Sequence, residues 1–323
     1  MKPRRLMLLS AFCLALSALP ATAQPQSWPT KPLRAIVPFA AGTVVDIIAR
    51  VALEQLSAQL GQPITVENRP GAGGTTGAGM VAKADPDGTT LLVNSSAHTI
   101  APAFYPSLGY DPARDFAAVI PLGDLPSVLI VPPGRFKTAG DLVAAAKAKP
   151  GSLNFGSAGV GTATYLSAMR FQSSAGFEAV HVPFKGGPDI LKEVIAGRID
   201  FFFAPVGVAV PLVQDRKVTA LAVNGAKRAA ALPEVPTTAE AGFANAENPF
   251  WVGIFAPAKT PREIVDKLHR ETLKALQEPN VRDKLKALGV DPMVMTAREF
   301  DGQVEKQIAT DAALIQAAGL KVQ

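Results

Sequence analysis

The chain has 323 residues, 48% of them hydrophobic, 18% charged and a single one cysteine, with a formal net charge of +5. One cysteine excludes an internal disulfide framework and a thiolate metal site, and a balance this close to neutral lacks the concentrated basic face that nucleic acid requires. The length suits two domains of ordinary size, and the apolar content supplies each with a core.

The N-terminus carries Lys2, Arg4 and Arg5 before an apolar run from Leu6 to Leu19 and the exit Pro20, Ala21, Thr22, Ala23. A basic start, a short apolar stretch and an A-x-A exit predict a signal peptide spanning 1–23 and cleaved after Ala23. The run is shorter than the roughly 20 residues that span a bilayer. Cys13 lies inside it, so the mature chain is expected to be free of cysteine. Removing the leader's three cations leaves 29 Lys+Arg against 27 Asp+Glu, a charge of +2. The expected location is the periplasm.

From Pro32 onward short β-rich runs alternate with amphipathic helical stretches, the pattern of α/β layers with largely parallel sheets. Leu33 to Val37 reads as a buried strand and Pro38 to Gly42 as a loop. Val44 to Leu60 reads as a helix closed by Gly61, with Thr43 and Asp46 spaced as a capping box. Strands follow at Ile64 to Glu67 and Leu91 to Asn94, separated by the glycine-rich run Gly71 to Gly79 and a helix ending near Lys83. Two apolar runs, Val119 to Leu122 and Val128 to Val131, are split by Gly123 and Pro126, which predicts a crossing between lobes.

A second Thr-x-x-Asp box opens a helix over Thr138 to Ala148. Asn154 to Gly156 feeds the loop Ser157 to Thr164 and a helix to about Ser174. Strands at Ala179 to Val182, Ile199 to Phe203 and Val218 to Val223 follow, with a helix ending at Ala196 between the first two. A proline-rich passage through Pro233, Pro236 and Pro249 is read as the return crossing. The tail reads as three helices, Arg262 to Gln277, Pro279 to about Leu288, and Arg298 to Ala318. The expected division is 24–124 plus 248–323 for one lobe and 125–247 for the other.

An enzyme reading finds little to work with. His98, His181 and His269 show no metal-ligand spacing, and His269 is expected on a solvated helix face, His181 as a hydrogen-bonded structural imidazole. Gly77, Gly79 and Ala82 satisfy G-x-G-x-x-A, but the run from Gly71 is too long for a dinucleotide turn. Phe155 replaces the leading glycine of G-x-S-x-G before Ser157, so the hydrolase elbow fails. A secreted hydrolase would rest on Ser95, Ser96 and Ser157 with His98 nearby in sequence. No cofactor and no metal are expected.

What remains are loops that each end at a helix start: Ala41 to Thr43, Ser95 to His98, Ser157 to Thr164, and Phe184 to Asp189. A helix N-terminus presents unpaired N–H groups and about half a positive charge, and so holds a carboxylate without a cation. In open α/β sheets ligands sit at the carboxyl ends of strands, where these loops fall.

The runs Ile36-Val-Pro-Phe-Ala-Ala-Gly42, Asp46-Ile-Ile-Ala-Arg50, Glu67-Asn-Arg-Pro-Gly-Ala-Gly-Gly74, Asp87-Gly-Thr-Thr-Leu-Leu92, Val182-Pro-Phe-Lys-Gly186 and Ala256-Pro-Ala-Lys-Thr-Pro261 resemble the extracytoplasmic receptors of tripartite tricarboxylate transporters, the Bug family. The resemblance covers essentially the whole mature chain. It implies an α/β, two-lobed periplasmic-binding-protein fold of type II, with two interlobe crossings and a ligand cleft between the lobes. It also implies a small-molecule carboxylate ligand and membrane permease subunits as partners; a monomer is expected. A sensor kinase in place of the permease is the alternative that such receptors allow. Family ligands are gripped largely by main-chain and hydroxyl groups, which on this sequence implicates Phe39, Ala41, Gly42, Thr43, Ser157, Gly159, Gly161 and Thr162. The wider candidate set adds Ser95, Ser96, His98, Thr164, Phe184, Lys185 and Asp189.

The chain departs from the family at several points. Ala41-Gly42-Thr43 stands where relatives carry Pro-Gly-Gly, Ala163-Thr164-Tyr165 where a Ser and a His are common, Phe184 for Tyr and Asp189 for Pro. Asp189 beside the cleft would repel a second carboxylate or bind an amine, and Lys185 would pair with a carboxylate. Glu67, Asn68 and Arg69 are expected to serve the fold or a partner contact rather than the ligand.

Overall fold

The apolar run Leu33–Val37 forms β1 and divides its side chains between two cores, with Leu33, Ala35 and Val37 in one and Ile36 in the other. This alternation is that of a strand covered on both faces. The computed structural model describes residues 28–225 and 227–317, and the leader read at 1–23 lies outside them. Among the described residues, no helix is long and apolar enough to cross a membrane.

After β1 come α1 (Val44–Leu60), β2 (Ile64–Asn68), a 3-10 turn at Ala72–Gly74, α2 (Thr75–Ala82), β3 (Thr90–Ser95), α3 (Ala97–Phe104) and β4 (Phe116–Asp124). The chain then enters a second unit with β5 (Ser127–Val131), α4 (Ala139–Ala148), β6 (Asn154–Ser157), α5 (Ala163–Ala175), β7 (Val180–Pro183), α6 (Gly187–Ile195), β8 (Phe202–Pro205), α7 (Val206–Gln214) and β9 (Thr219–Asn224). It returns through β10 (Trp251–Pro257) to α8 (Arg262–Gln277), α9 (Pro279–Ala287) and α10 (Ala297–Ala317).

The first sheet runs β2-β1-β3-β10-β4. In it β1 pairs in parallel with β2 and β3, while β10 lies antiparallel to β3 and β4. In the second unit β5 lies antiparallel to β8 and β9, and β6 pairs in parallel with β7. A bridge between Phe155 and Phe201 and the bond from Gly156 N to Phe201 O (3.2 Å) join the two.

The expectation of largely parallel sheets therefore fails at one strand in each unit, β10 in the first and β5 in the second. Both are the strands that arrive by a crossing. A crossing strand enters at the end where the other strands finish, so it must run against them. The same topology turns the carboxyl ends of β1 and β6, and the loops that follow them, toward the crossings. The strand β10, fully buried like β3 and β5, follows closely on Pro249 and the passage read as the return crossing, and has no counterpart in the sequence reading. The strand expected from Ile199 begins instead at Phe202, because Asp200 turns the chain by accepting from Asn154 N at 2.6 Å.

The crossings lie side by side. Leu125 N donates to Phe250 O at 2.6 Å, and Asn248 N donates to Asn224 Oδ1 at 2.5 Å. Beside the first crossing, Asp124 and Asp291 exchange backbone bonds of 2.9 and 2.8 Å. A Cβ at Gly207 would sit 2.1 Å from Leu288 O, so the start of α7 and the end of α9 meet backbone to backbone.

Burial, reinforced by the adjacent Asp291 and opposed by Lys227, pushes the Asp124 carboxyl up to about 6. The folded state thus binds this proton more tightly than the unfolded chain does. The group's contribution to stability is full below about pH 4 and is lost as pH rises through about 6. Asp124→Asn should therefore stabilise the protein at pH 7.5 by on the order of 2 kcal/mol, and by far less at pH 4.5. Urea midpoints at the two pH values check this, and an equal gain at both would refute it.

Candidate ligand site at the helix starts

The first loop is tied down from within. Thr43 caps α1, its Oγ1 accepting from Asp46 N at 3.4 Å and donating to Ala40 O at 2.9 Å. The buried Asp46 carboxylate does not close the box on Thr43 but accepts Gly42 N at 2.9 Å, Arg50 Nε at 3.1 Å and Asn68 Nδ2 at 2.8 Å. Burial pushes this carboxyl up, but Arg50, the Gly42 N–H and Asn68 together hold it below its ordinary value. Asn68 also donates to Phe39 O at 3.0 Å, so the Glu67–Arg69 block organises the loop from behind.

As a result the Gly42 and Thr43 N–H groups are engaged internally, the latter with Ala40 O at 3.3 Å. The donors left at this end are the first-turn N–H groups of Val44 and Val45, which a helix cannot satisfy itself. Gly42 holds φ +81° with open space around it, so its role is the turn.

The second loop is built in the same way. Thr162 caps α5, accepting from Tyr165 N at 3.4 Å and donating to Gly159 O at 2.7 Å. Thr164 Oγ1 accepts from Ala158 N at 3.1 Å and meets Thr162 Oγ1 at 3.1 Å. Both threonine hydroxyls, expected as ligand donors, thus shape the loop. The Gly159 N–H donates to Ser157 Oγ at 3.0 Å, and Ser157 is wholly buried. The first-turn N–H groups of Ala163 and Thr164 are left facing outward from the helix end.

Tyr105, which carries no motif and was missed by sequence reasoning, joins the two loops. It follows α3, and a Cβ built on Gly73 or Gly161 would lie 3.0 Å from its hydroxyl and 3.5 Å from its ring respectively. Phe39 in turn packs against Gly74, whose Cβ would lie 3.4 Å from the ring. A chain of contacts from Phe39 through Gly74, Gly73 and Tyr105 to Gly161 thus brings the first loop, the glycine run and the second loop together. Burial raises the Tyr105 hydroxyl pKa above its ordinary value, keeping it protonated.

The remaining candidates fall elsewhere. His98 was expected in a ligand loop but is 1% exposed, stacked on Phe255 at 4.7 Å and edge-on to Phe116 at 4.9 Å. Its Nε2 meets Pro112 O at 3.1 Å, and burial depresses its pKa to about 4. It is a core imidazole because α3 begins at Ala97 and carries it under the helix. The pairing of His98 with a serine that a hydrolase would need is therefore not formed.

Ser95 Oγ accepts from Ala97 N at 3.3 Å, while Ser96 Oγ is buried with no protein partner among the described residues. Phe184 extends the β6–β7 ladder, its N–H donating to Ser157 O at 2.9 Å. Asp189 pairs with Lys192 at 3.2 Å, both exposed. Among the described residues, no hydrogen bond or ion pair ties Lys185 or Asp189 to either loop. His269 is not on a solvated face: it is half-buried, with Nε2 2.9 Å from Met295 O.

Among the described residues, no group of three or more His, Cys, Asp or Glu is placed to hold a metal ion. Two wider concavities lie away from the loops. One, of about 410 Å³, opens beside Arg262 and Asp301. The other, of about 740 Å³, runs between α9 and the Ala229–Ala231 segment. Neither is lined by either helix start, and no charged group lies in either loop.

A family model described as "Tripartite tricarboxylate transporter family receptor" matches residues 48–320. The "UPF0065 protein in tcbD-tcbE intergenic region" of Pseudomonas sp. is 39% identical over 87% of this chain and 85% of its own length. MatC from Rhodopseudomonas palustris with bound malate superposes with a TM-score of 0.81 at 32% identity, covering 89% of this chain and all of that one. Another R. palustris protein, with adipate, gives a TM-score of 0.83 at 32% identity over 92% of this chain and all of that one.

Proposed function

This chain belongs to the tripartite tricarboxylate transporter receptor family, and we propose that it captures a small organic carboxylate between its two lobes without chemical turnover and delivers it to membrane permease subunits. The observation that carries this reading is the meeting, through Tyr105, of two capped loops at helix starts. Their leading N–H groups supply partial positive charge in loops that carry no charged residue of their own. The malate and adipate held by the two R. palustris relatives support this ligand class.

The lobes are taken as 24–124 with 248–323, and 125–247. The adjacency of the two crossings supports that division, since paired crossings permit a hinge. The ligand would shift an open–closed equilibrium through contacts made only in the closed form. The basic, apolar leader supports delivery to the periplasm.

Thermal unfolding of the mature protein tests the reading. Binding to the native state at a hundredfold excess over Kd stabilises by about 2.7 kcal/mol, a rise of roughly 5 °C for a chain of this size. Malate, adipate, aromatic acids and amino acids form the panel, with their neutral amides as controls. A rise with one acid class and none with its amide is the expected result. No rise with any acid, together with no acid found by native mass spectrometry of the purified protein, would refute it.

A further inference from the structure

Ser157 and His181 form a pair that the ligand reading leaves unused. His181 lies in β7, in register with Phe155 of β6, and its Nε2 is 2.7 Å from Ser157 Oγ. The ring stacks on Phe155, centroids 5.0 Å apart, and Tyr165 of α5 meets it edge-on at 4.8 Å. Ser157 Oγ already accepts the Gly159 N–H. Its own proton has one acceptor among the described residues, the imidazole Nε2. This arrangement requires a neutral ring with its proton on Nδ1.

We propose that His181 is a positioning residue for ligand capture. By accepting the Ser157 hydroxyl proton it fixes Oγ, Oγ fixes the Gly159 N–H, and the 158–162 loop is thereby held in the shape that leads into α5. The inference rests on the reading that this loop meets the ligand. Gly159 holds φ +111° with nothing within 4 Å of a Cβ; Thr162 fixes its carbonyl, while its N–H is bonded to Ser157 Oγ.

A protonated ring would donate from Nε2. The buried Oγ would then face two donors, and its own proton would have no acceptor, so the loop would have to leave its position. The groups facing the ring are Phe155 and Ser157 from β6 and Tyr165 from α5. None is charged, and burial alone depresses the ring's pKa below its ordinary value. Lys185, the nearest cation along the chain, is exposed beyond the end of β7.

The experiment is calorimetric titration with malate and adipate between pH 5 and 8 for the wild type, His181→Gln and His181→Phe. Glutamine offers an amide oxygen to the Ser157 hydroxyl and does not titrate. It should bind within a few-fold of the wild type at pH 8. The wild type should lose affinity relative to His181→Gln by up to tenfold per pH unit once below the ring's pKa. His181→Phe, with no acceptor, should bind at least tenfold more weakly throughout. In the unliganded wild type the Gly159 amide resonance should titrate together with the His181 ring, a readout independent of any variant's folding.

Parallel pH curves for wild type and His181→Gln, wild-type affinity in His181→Phe, or a Gly159 amide that ignores the ring's titration would overturn the inference and leave the ligand reading standing. A wild type that binds no acid at pH 8 would instead overturn the ligand reading, and this inference with it.

Discussion

Arg170→Ala should destabilise the folded protein by about 3–5 kcal/mol, because it leaves the Asp311 carboxylate buried without its partner. Arg170 of α5 is 7% exposed and Asp311 of α10 is 0% exposed. The guanidinium lies 2.5 Å from Asp311 Oδ1 and donates to Glu247 O at 2.7 Å, while Thr99 Oγ1 donates to Asp311 Oδ2 at 2.8 Å. One ion pair therefore binds α5, α10, α3 and the return crossing. Burial raises the Asp311 carboxyl pKa despite Arg170 and Thr99, so the attraction does not fully offset desolvation.

That balance makes a second, sharper expectation. Arg170→Met combined with Asp311→Leu should be much less destabilising than the two single changes added together, because no charge is then left behind. Urea denaturation of the four proteins reads the coupling directly. Additive single effects would show that the pair does not hold these elements together.

Gly161→Val should weaken carboxylate binding by about a hundredfold while the protein remains folded. Gly161 holds φ +81°, and a Cβ there would already touch Tyr105 at 3.5 Å. The left-handed region costs a residue with a Cβ about 1–2 kcal/mol, and β-branching adds stiffness at χ1. Relief comes from moving the loop or displacing Tyr105, and each breaks the contact between Tyr105 and the second loop. At about 1.4 kcal/mol per tenfold in affinity, Gly161→Ala should lose about tenfold and valine more.

Gly134→Ala is the matched control, since Gly134 also has positive φ (+73°) but nothing within 4 Å. It should lower stability and leave the affinity for malate or adipate unchanged. Wild-type affinity in Gly161→Val would remove the second loop from the site.

The helix starts were legible in the sequence because a cap is a local event. Thr43 and Thr138 each cap the helix that follows, as their spacing predicts, through a bond that spans three residues, whereas α5 starts at Ala163, capped by Thr162, inside the stretch read as loop to Thr164. Leu33–Val37 and Arg262–Gln277 could be delimited to the residue because periodicity and flanking Pro or Gly agree there. Use of the same side chains was not legible. Thr162 and Thr164 read as ligand donors, yet their hydroxyls face each other and the loop's own backbone. Asp46 reads as half of a capping box but serves Gly42, Arg50 and Asn68 instead.

What the sequence by itself determined, then, is the order of most helices and most strands, though not α7, together with the two glycine-containing loops at helix starts and the family blocks that run along the chain. Only the tertiary structure decided that β10 enters the first sheet between β3 and β4, that His98 is core, that Tyr105 joins Gly73 to Gly161, and that Arg170 finds Asp311. Caps and turns are satisfied within a few residues and leave their mark in the spacing. An ion pair 141 residues apart leaves none, because nothing in the intervening chain has to change for the two charges to meet.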